Sequence, residues 1–564
     1  MSLIILVPLL PLLAAIIVAI GTRSSQTQRA RIAAYPIGAA LLGAIVTLWY
    51  VATQGAITIR FYDPSSSATL AFPIGFYIDR LSAIMMVLIS GVGTIIYTYS
   101  VGYLYQDPHE TRYLSLIGFT TFVLLCMVSS GNLMMLFIFW QLLSYLLYIL
   151  AHNHAHAATL EGAYRTFTLL RVGDVAFLSG IVLAHSLYGT LEFQPLFLKA
   201  AETPVTLSPL PGWELNGATA VTLLLFIGGM SKSAQFPLHV WLPRSLYAPT
   251  PVHALLHAGI INAGGFLINR LAPLFGLSST TLHVAFAVGT LTAVLGASMM
   301  LAQNDIKKTL GFSTIGQMGY MIMECGLGAF SLAVFHLIAH GLFKATVFLN
   351  CGNVIHKARQ EPHFPHHDHQ EEGFSRLTWS TGFVTTLFIP LLILLVTHGV
   401  LHIPLLESQG TVIFLFFIWI TSSQAIMTLT RLRAVASWKV SSVMLLTLLF
   451  VVFVYLFAVE SFTAFLYPNP QEVASYFKAA ELPYWFFDLM IIMATLTTIA
   501  GWVYLYMRAH GRTVWMPSWV EGVRIRLYVL FMNRLYADEV YQKVGGVAGR
   551  LLDRFDKSVR GWSR

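Results

Sequence analysis

His336, His340 and Lys344 recur at steps of four, so on a helix they share one broad face, each a turn from the next. A neutral imidazole accepts a proton on one nitrogen and donates from the other, and a lysine held away from water can trade protons near neutral pH. The three therefore have the chemistry of a proton relay. His253 and His257 repeat the spacing, and Lys232 sits at the end of the apolar run Ala218 to Met230. Ionisable groups at bilayer depth are expensive, and those retained there face a hydrated interior and mark an ion or proton path. Two duller readings compete. One is a lysine that snorkels to the interface; the other is haem ligation, for which two histidines on one helix offer no obvious opposing ligand set.

The elements that must hold these residues are membrane spans. With 564 residues, 56% hydrophobic, 10% charged and a mean hydropathy of +0.71, the chain is expected to be an all-α polytopic membrane protein. Apolar windows predict helices near 3–20, 33–52, 81–103, 113–129, 132–150, 166–185, 218–241 and 252–270. Further ones are predicted near 281–301, 307–324, 327–350, 378–399, 412–430, 440–458 and 485–507. That makes fifteen, within a range of about 14–16 transmembrane helices. The first run has no basic n-region and no small-residue cleavage site, so it reads as a retained helix. Cys126, Cys325 and Cys351 fall in or beside separate apolar segments at no metal-ligand spacing and are read as packing residues.

Basic residues set the expected orientation. With the N-terminus outside, inner loops collect Arg23, Arg29 and Arg31; Arg244; Lys307 and Lys308; Lys357 and Arg359; Arg431, Arg433 and Lys439; and the tail from Arg508. The net charge of +8 is then a topology signal, with no nucleic-acid partner implied. On the outer face, Ile57–Tyr62, Pro64–Ser67 and Thr69–Phe72 resemble a β-hairpin. The basic tail from Pro517 is expected to lie on the inner surface as amphipathic helix, the alternative being a further crossing that begins at Val523–Met532.

Gly228, Gly229 and Pro237 bracket Lys232 and predict a broken seventh helix with backbone carbonyls freed beside the charge. Pro390 interrupts the twelfth predicted helix, five later and therefore antiparallel, which fits inverted repeats of helices 4 to 8 and 9 to 13. The organisation expected is N-terminal helices with the outer hairpin over 1–112, a first five-helix repeat over 113–270 and a second over 271–430. C-terminal helices over 431–507 and the basic tail over 508–564 complete it.

Ordered motifs carry a resemblance. They are Arg171–Asp174, Ser231–Leu242, Pro249–Ala258, Asp305–Tyr320 and Phe335–Ala345, with a faint return at Tyr536–Tyr541. Together they resemble the antiporter-like subunits of complex I and Mrp antiporters. The resemblance implies that Lys232, His257, His336, His340 and Lys344 belong to a polar axis carrying protons through the membrane centre. Arg171 and Asp174 become candidate network partners, with a structural ion pair as the alternative. Asp305, Lys307 and Lys308 read as a loop and topology element.

Two departures stand out. The helix-5 position that is typically Glu in the family, paired with the broken-helix lysine, is Gln141, which hydrogen-bonds but does not titrate. The second broken helix lacks the family's lysine, offering only His398. The chain thus resembles the DabB branch, membrane subunits of inorganic-carbon accumulation complexes in the cell inner (cytoplasmic) membrane. That resemblance implies conduction of H+ or Na+ across the lipid bilayer, coupled to a large cytoplasmic DabA-like partner with a carbonic-anhydrase-like zinc site. A subunit of a respiratory NADH dehydrogenase or an Mrp-type antiporter is the alternative; a proton-inert membrane anchor is a third. No catalytic site, metal or cofactor is expected on this chain. The histidines of 363–369 and His152, His154 and His156 read as solvated loops, with a transition-metal site or partner contact as the competing reading.

Overall fold

Backbone inside hydrocarbon must satisfy its own hydrogen bonds, and these apolar runs do so as helices. The computed structural model describes residues 2–20, 26–62, 72–151, 157–210, 212–244, 249–351, 457–509 and 518–541, with 409, 450, 454 and 543 as isolated positions. Nine helices among the described residues are long and apolar enough to cross a membrane. The chain is a polytopic helical membrane protein. Large apolar side chains such as Leu42, Trp49, Val294 and Leu301 are exposed on the outward faces, where lipid takes the place of water.

In order, α1 is Ser2–Ala19, α2 Gln26–Gln54, α3 Arg80–Tyr103, α4 Glu110–Val128, α5 Leu133–Ala151 and α6 Ala157–Tyr188. The short α7 (Phe193–Glu202) precedes α8 (Gly217–Lys232), α9 (Thr250–Leu255), α10 (Ala263–Arg270) and α11 (Ala272–Phe275). Then come α12 (Ser279–Leu301), α13 (Ile306–Gly326) and α14 (Phe330–Cys351). The C-terminal part holds α15 (Phe457–Leu466), α16 (Pro470–Ala479), α17 (Tyr484–Ala509) and α18 (Ser518–Met532).

The expected hairpin is present as β1 (Ile57–Tyr62) against β2 (Ile74–Ile78), antiparallel. Its second strand starts at Ile74, later than the sequence pattern placed it. A second antiparallel hairpin, β3 (Thr206–Leu210) with β4 (Trp213–Asn216), and the amphipathic α7 were not anticipated. Helices α2 and α6 exceed their predicted spans because polar flanking turns such as Gln26–Arg31 extend them. The seventh predicted span, 218–241, is helical only to Lys232. The eighth, 252–270, is α9 and α10 joined by a π-turn over Leu256–Ile260. The predicted spans at 378–399 and 412–430, nearly all of 440–458, Pro390, His398, both histidine loops and the tail from Arg550 lie outside the described residues.

Two features fix the helices around the lysine. Glycines let α8 approach its neighbours: a Cβ at Gly173 of α6 would lie 2.2 Å from the Ser231 Cβ, and one at Gly264 of α10 only 2.3 Å from the Gly229 carbonyl oxygen. At the other end of α10, Arg270 is buried and pairs with Asp79, the N-cap of α3, through contacts of 2.6 and 3.0 Å. The faces of Tyr77, Phe193 and Phe266 lie 5.5–5.7 Å from its guanidinium, which replaces lost water with π-faces.

Candidate ion pathway

Lys232 is the last residue of α8 and 1% exposed. A helix C-terminus carries partial negative charge, so the position itself favours a cation. Helix α5 supplies the other contacts: the ammonium donates to the Trp140 carbonyl at 3.2 Å and to the Ser144 hydroxyl, and lies 4.9 Å from the Trp140 ring centroid. The glycines at 228 and 229, read from sequence as helix breakers, sit within regular helix and serve close packing instead. The break follows the lysine, where Ala234 has φ of 49°. Nor are the carbonyls there left free. Ser231 O accepts from the Trp241 indole at 2.9 Å, and Met230 O from the Gln235 amide at 2.9 Å. The Phe236 amide donates to Thr292 Oγ1 at 2.9 Å and the Ser233 hydroxyl to Ile261 O at 2.8 Å, tying the turns that follow α8 to α12 and to the residue after the π-turn.

Asp174 is buried on α6, with Arg171 one turn before it. Its carboxylate pairs with Arg171 at 2.7 Å and accepts the Trp140 Nε1–H at 2.7 Å. The Arg171 guanidinium also donates to Gln141 Oε1 and lies 4.5 Å from the Phe167 ring centroid. Gln141, Arg171, Asp174, Trp140, Lys232 and Ser144 thus make one continuous polar cluster across α5, α6 and α8.

His253 lies on α9 and His257 in the π-turn, both fully buried, with ring centroids 6.4 Å apart. Phe348 of α14 stacks on His257 at 4.3 Å and on His253 at 5.9 Å. Both ring nitrogens of His257 are buried with no hydrogen-bond partner among the described residues, and the same holds for His340. Orphaned imidazoles are costly if their only role is packing. On α14, His336, His340 and Lys344 follow one another by turns, with the His336 and His340 rings 6.4 Å apart. Lys344 is 1% exposed and donates to Ser313 Oγ at 2.8 Å. His336 Nδ1 meets the Glu324 carboxylate at 3.1 Å and Nε2 the Gln317 side-chain oxygen at 2.9 Å.

Gln141, Arg171, Asp174, Lys232, His253, His257, His336, His340 and Lys344 are therefore all placed at buried or half-buried positions. Sequence reasoning missed Trp140, Ser144, Ser313, Gln317 and Glu324. Only Glu324 left a signal, as an acid inside an apolar stretch; serines and a tryptophan in a span look like packing.

The transmembrane model described as NADH:quinone oxidoreductase/Mrp antiporter matches residues 130–437, more than half of the chain. This chain belongs to that family. The model for the N-terminus of complex I chain 5 matches residues 65–114 of this antiporter-like subunit. It is 38% identical over 574 residues to the probable inorganic carbon transporter subunit DabB1 of Halothiobacillus neapolitanus, covering 99% of both chains. NADH-quinone oxidoreductase subunit L of Neisseria meningitidis is 36% identical over 323 residues, 56% of this chain and 48% of that protein. Among solved structures, a chain of the Mrp complex from Dietzia sp. superposes with a TM-score of 0.56 and 20% identity, over 98% of this chain and 60% of that one, a likeness of fold. Gln141, at the position of the usual glutamate, contacts Arg171, while Ser144 and Trp140 meet the lysine.

Proposed function

We propose that this antiporter-like subunit conducts ions inward through the cell inner membrane, and that the flux energises one-way hydration of CO2 to bicarbonate in a large zinc-containing cytoplasmic partner. Full-length similarity supports this reading most: the match to the inorganic carbon transporter subunit runs end to end in both chains, whereas the match to subunit L spans about half of that protein. The buried row supplies the conducting groups. In this reading Lys232 is the central titratable group, its charge tuned by Asp174 and Arg171 through Trp140. His253, His257, His340, Lys344 and His336 make up the rest of the path, and the N-terminus faces outside.

A second reading makes the chain a subunit of a respiratory NADH dehydrogenase or an Mrp-type antiporter, favoured by the family match over 130–437. Purification from native membranes in mild detergent separates the two. A single large co-purifying chain that contains zinc is expected; recovery of quinone-linked or multisubunit antiporter chains in its place moves the assignment to the second reading.

A further inference from the structure

Glu324 is 3% exposed and lies in the last turn of α13. Both facts disfavour a carboxylate: burial removes its hydration, and the C-terminal end of a helix is the negative end of its dipole. Its partner makes sense of the cost. An ionised carboxylate only accepts, so His336 Nδ1 is the donor in their 3.1 Å contact. His336 Nε2 then faces the Gln317 amide at 2.9 Å. Charged imidazole donates from Nε2 to the amide oxygen; neutral imidazole accepts from the amide nitrogen once the amide turns over. His336 therefore keeps two hydrogen bonds with or without the extra proton, and Glu324 offsets the charge when it is present. A hard metal cation asks for several oxygen ligands around one centre, whereas here the two oxygens flank opposite sides of an imidazole ring.

We propose that Glu324, His336 and Gln317 form the proton-loading site at the outer end of the path, and that the ion carried is H+. The inference rests on the reading of the chain as an ion-conducting subunit. A proton from the outer side binds His336 Nε2 and leaves toward His340. With centroids 6.4 Å apart, that step runs through a bridging water. Only N–H and O–H bonds form and break, so no redox partner is required. Other titratable groups on the elements packed here are Tyr320, whose ring lies 5.2 Å from that of His336, Cys325 beside Glu324, and His340. Tyr476 of α16 packs on Phe330 at 5.1 Å and on Tyr467 at 5.8 Å. His283 of α12 is held by the Glu481 carbonyl, and Arg270 of α10 by Asp79.

The test uses everted membrane vesicles from cells producing the full chain with its native partners, read for proton and Na+ flux across outer pH. Glu324→Gln should lower proton flux by about tenfold or more. It should also change how the flux depends on outer pH, because the imidazole loses the carboxylate that faces its Nδ1. Glu324→Asp should recover part of the flux. Should Glu324→Gln fail to insert, Gln317→Leu serves, since it leaves the carboxylate in place and should still displace the pH profile. Wild-type flux and an unchanged profile in Glu324→Gln, or in Gln317→Leu where that replaces it, overturn the proposal. With Lys232→Ala inactive in the same vesicles, such a result leaves the conducting role standing. Normal flux in Lys232→Ala overturns both, and a flux that requires Na+ at a fixed pH gradient overturns the assignment of the ion.

Discussion

Lys232 and Asp174 share Trp140: the indole Nε1–H donates to the carboxylate at 2.7 Å while the same ring lies 4.9 Å from the ammonium. Charge on α6 is thereby linked to charge on α8 through a side chain of α5. The ammonium is bonded to a carbonyl and a hydroxyl, neither of which titrates near neutral pH, so the lysine can lose its proton without stranding a carboxylate in direct contact.

Replacing the central ammonium tests the pathway itself. Lys232→Ala should leave the chain inserted but reduce ion flux by about a hundredfold, because it removes the ammonium at the centre of the proposed path. Proton flux in vesicles and growth at ambient CO2 are the measurements; wild-type values in both contradict the conducting role.

Trp140→Phe keeps an aromatic face over Lys232 and deletes the donor to Asp174. Leaving a buried carboxylate oxygen short of one hydrogen bond costs about 1–3 kcal/mol. Flux should fall while the thermal midpoint in detergent drops by only a few degrees; equal flux in mutant and wild type argues that the indole link is packing alone.

At the family's glutamate position, Gln141→Glu places a second carboxylate on Arg171 and competes with Asp174 for it. The added charge also sits next to Trp140, whose carbonyl and ring hold Lys232. Flux should decline, and a gain would mark the position as a degraded site. Asp174→Asn, which removes the only acid in the cluster, should be more damaging than Gln141→Ala when all three are assayed together.

Gly264→Ala probes the crossing of α8 and α10. Its methyl would fall 2.3 Å from the Gly229 carbonyl oxygen, a clash that backbone must absorb. Overpacking of this kind costs about 1–3 kcal/mol. A lowered thermal midpoint is expected, with reduced flux even at temperatures where the chain remains folded.

Much of this was legible in the sequence, for physical reasons. Steps of four place His336, His340 and Lys344 on one face from sequence alone, because helical period is fixed by geometry. The stop at Lys232 was visible from nearby glycine and proline, although the glycines proved to serve packing and the chain turns only beyond the lysine. What stayed hidden was partnership across helices. Nothing in the neighbourhood of Trp140 tells the reader that its indole will meet an acid more than thirty residues away, and Gln141 gave no sign that it would turn to Arg171. The π-turn at His257 was equally invisible, since its residues read as ordinary helix.

The hydroxyl of Tyr541, beyond α18, donates to the carbonyl of Pro237 at 2.6 Å, and Pro237 lies five residues past Lys232. Gln303, just past α12, donates at 3.4 Å to the Phe531 and Met532 carbonyls at the end of α18. The C-terminal segment is thus fastened at two points, one of them on the stretch that carries the break. A tug at Tyr541 would therefore act five residues from Lys232, on the turn that also bonds to Thr292 and Ile261, so the charged helix end and its two neighbouring spans would feel it together.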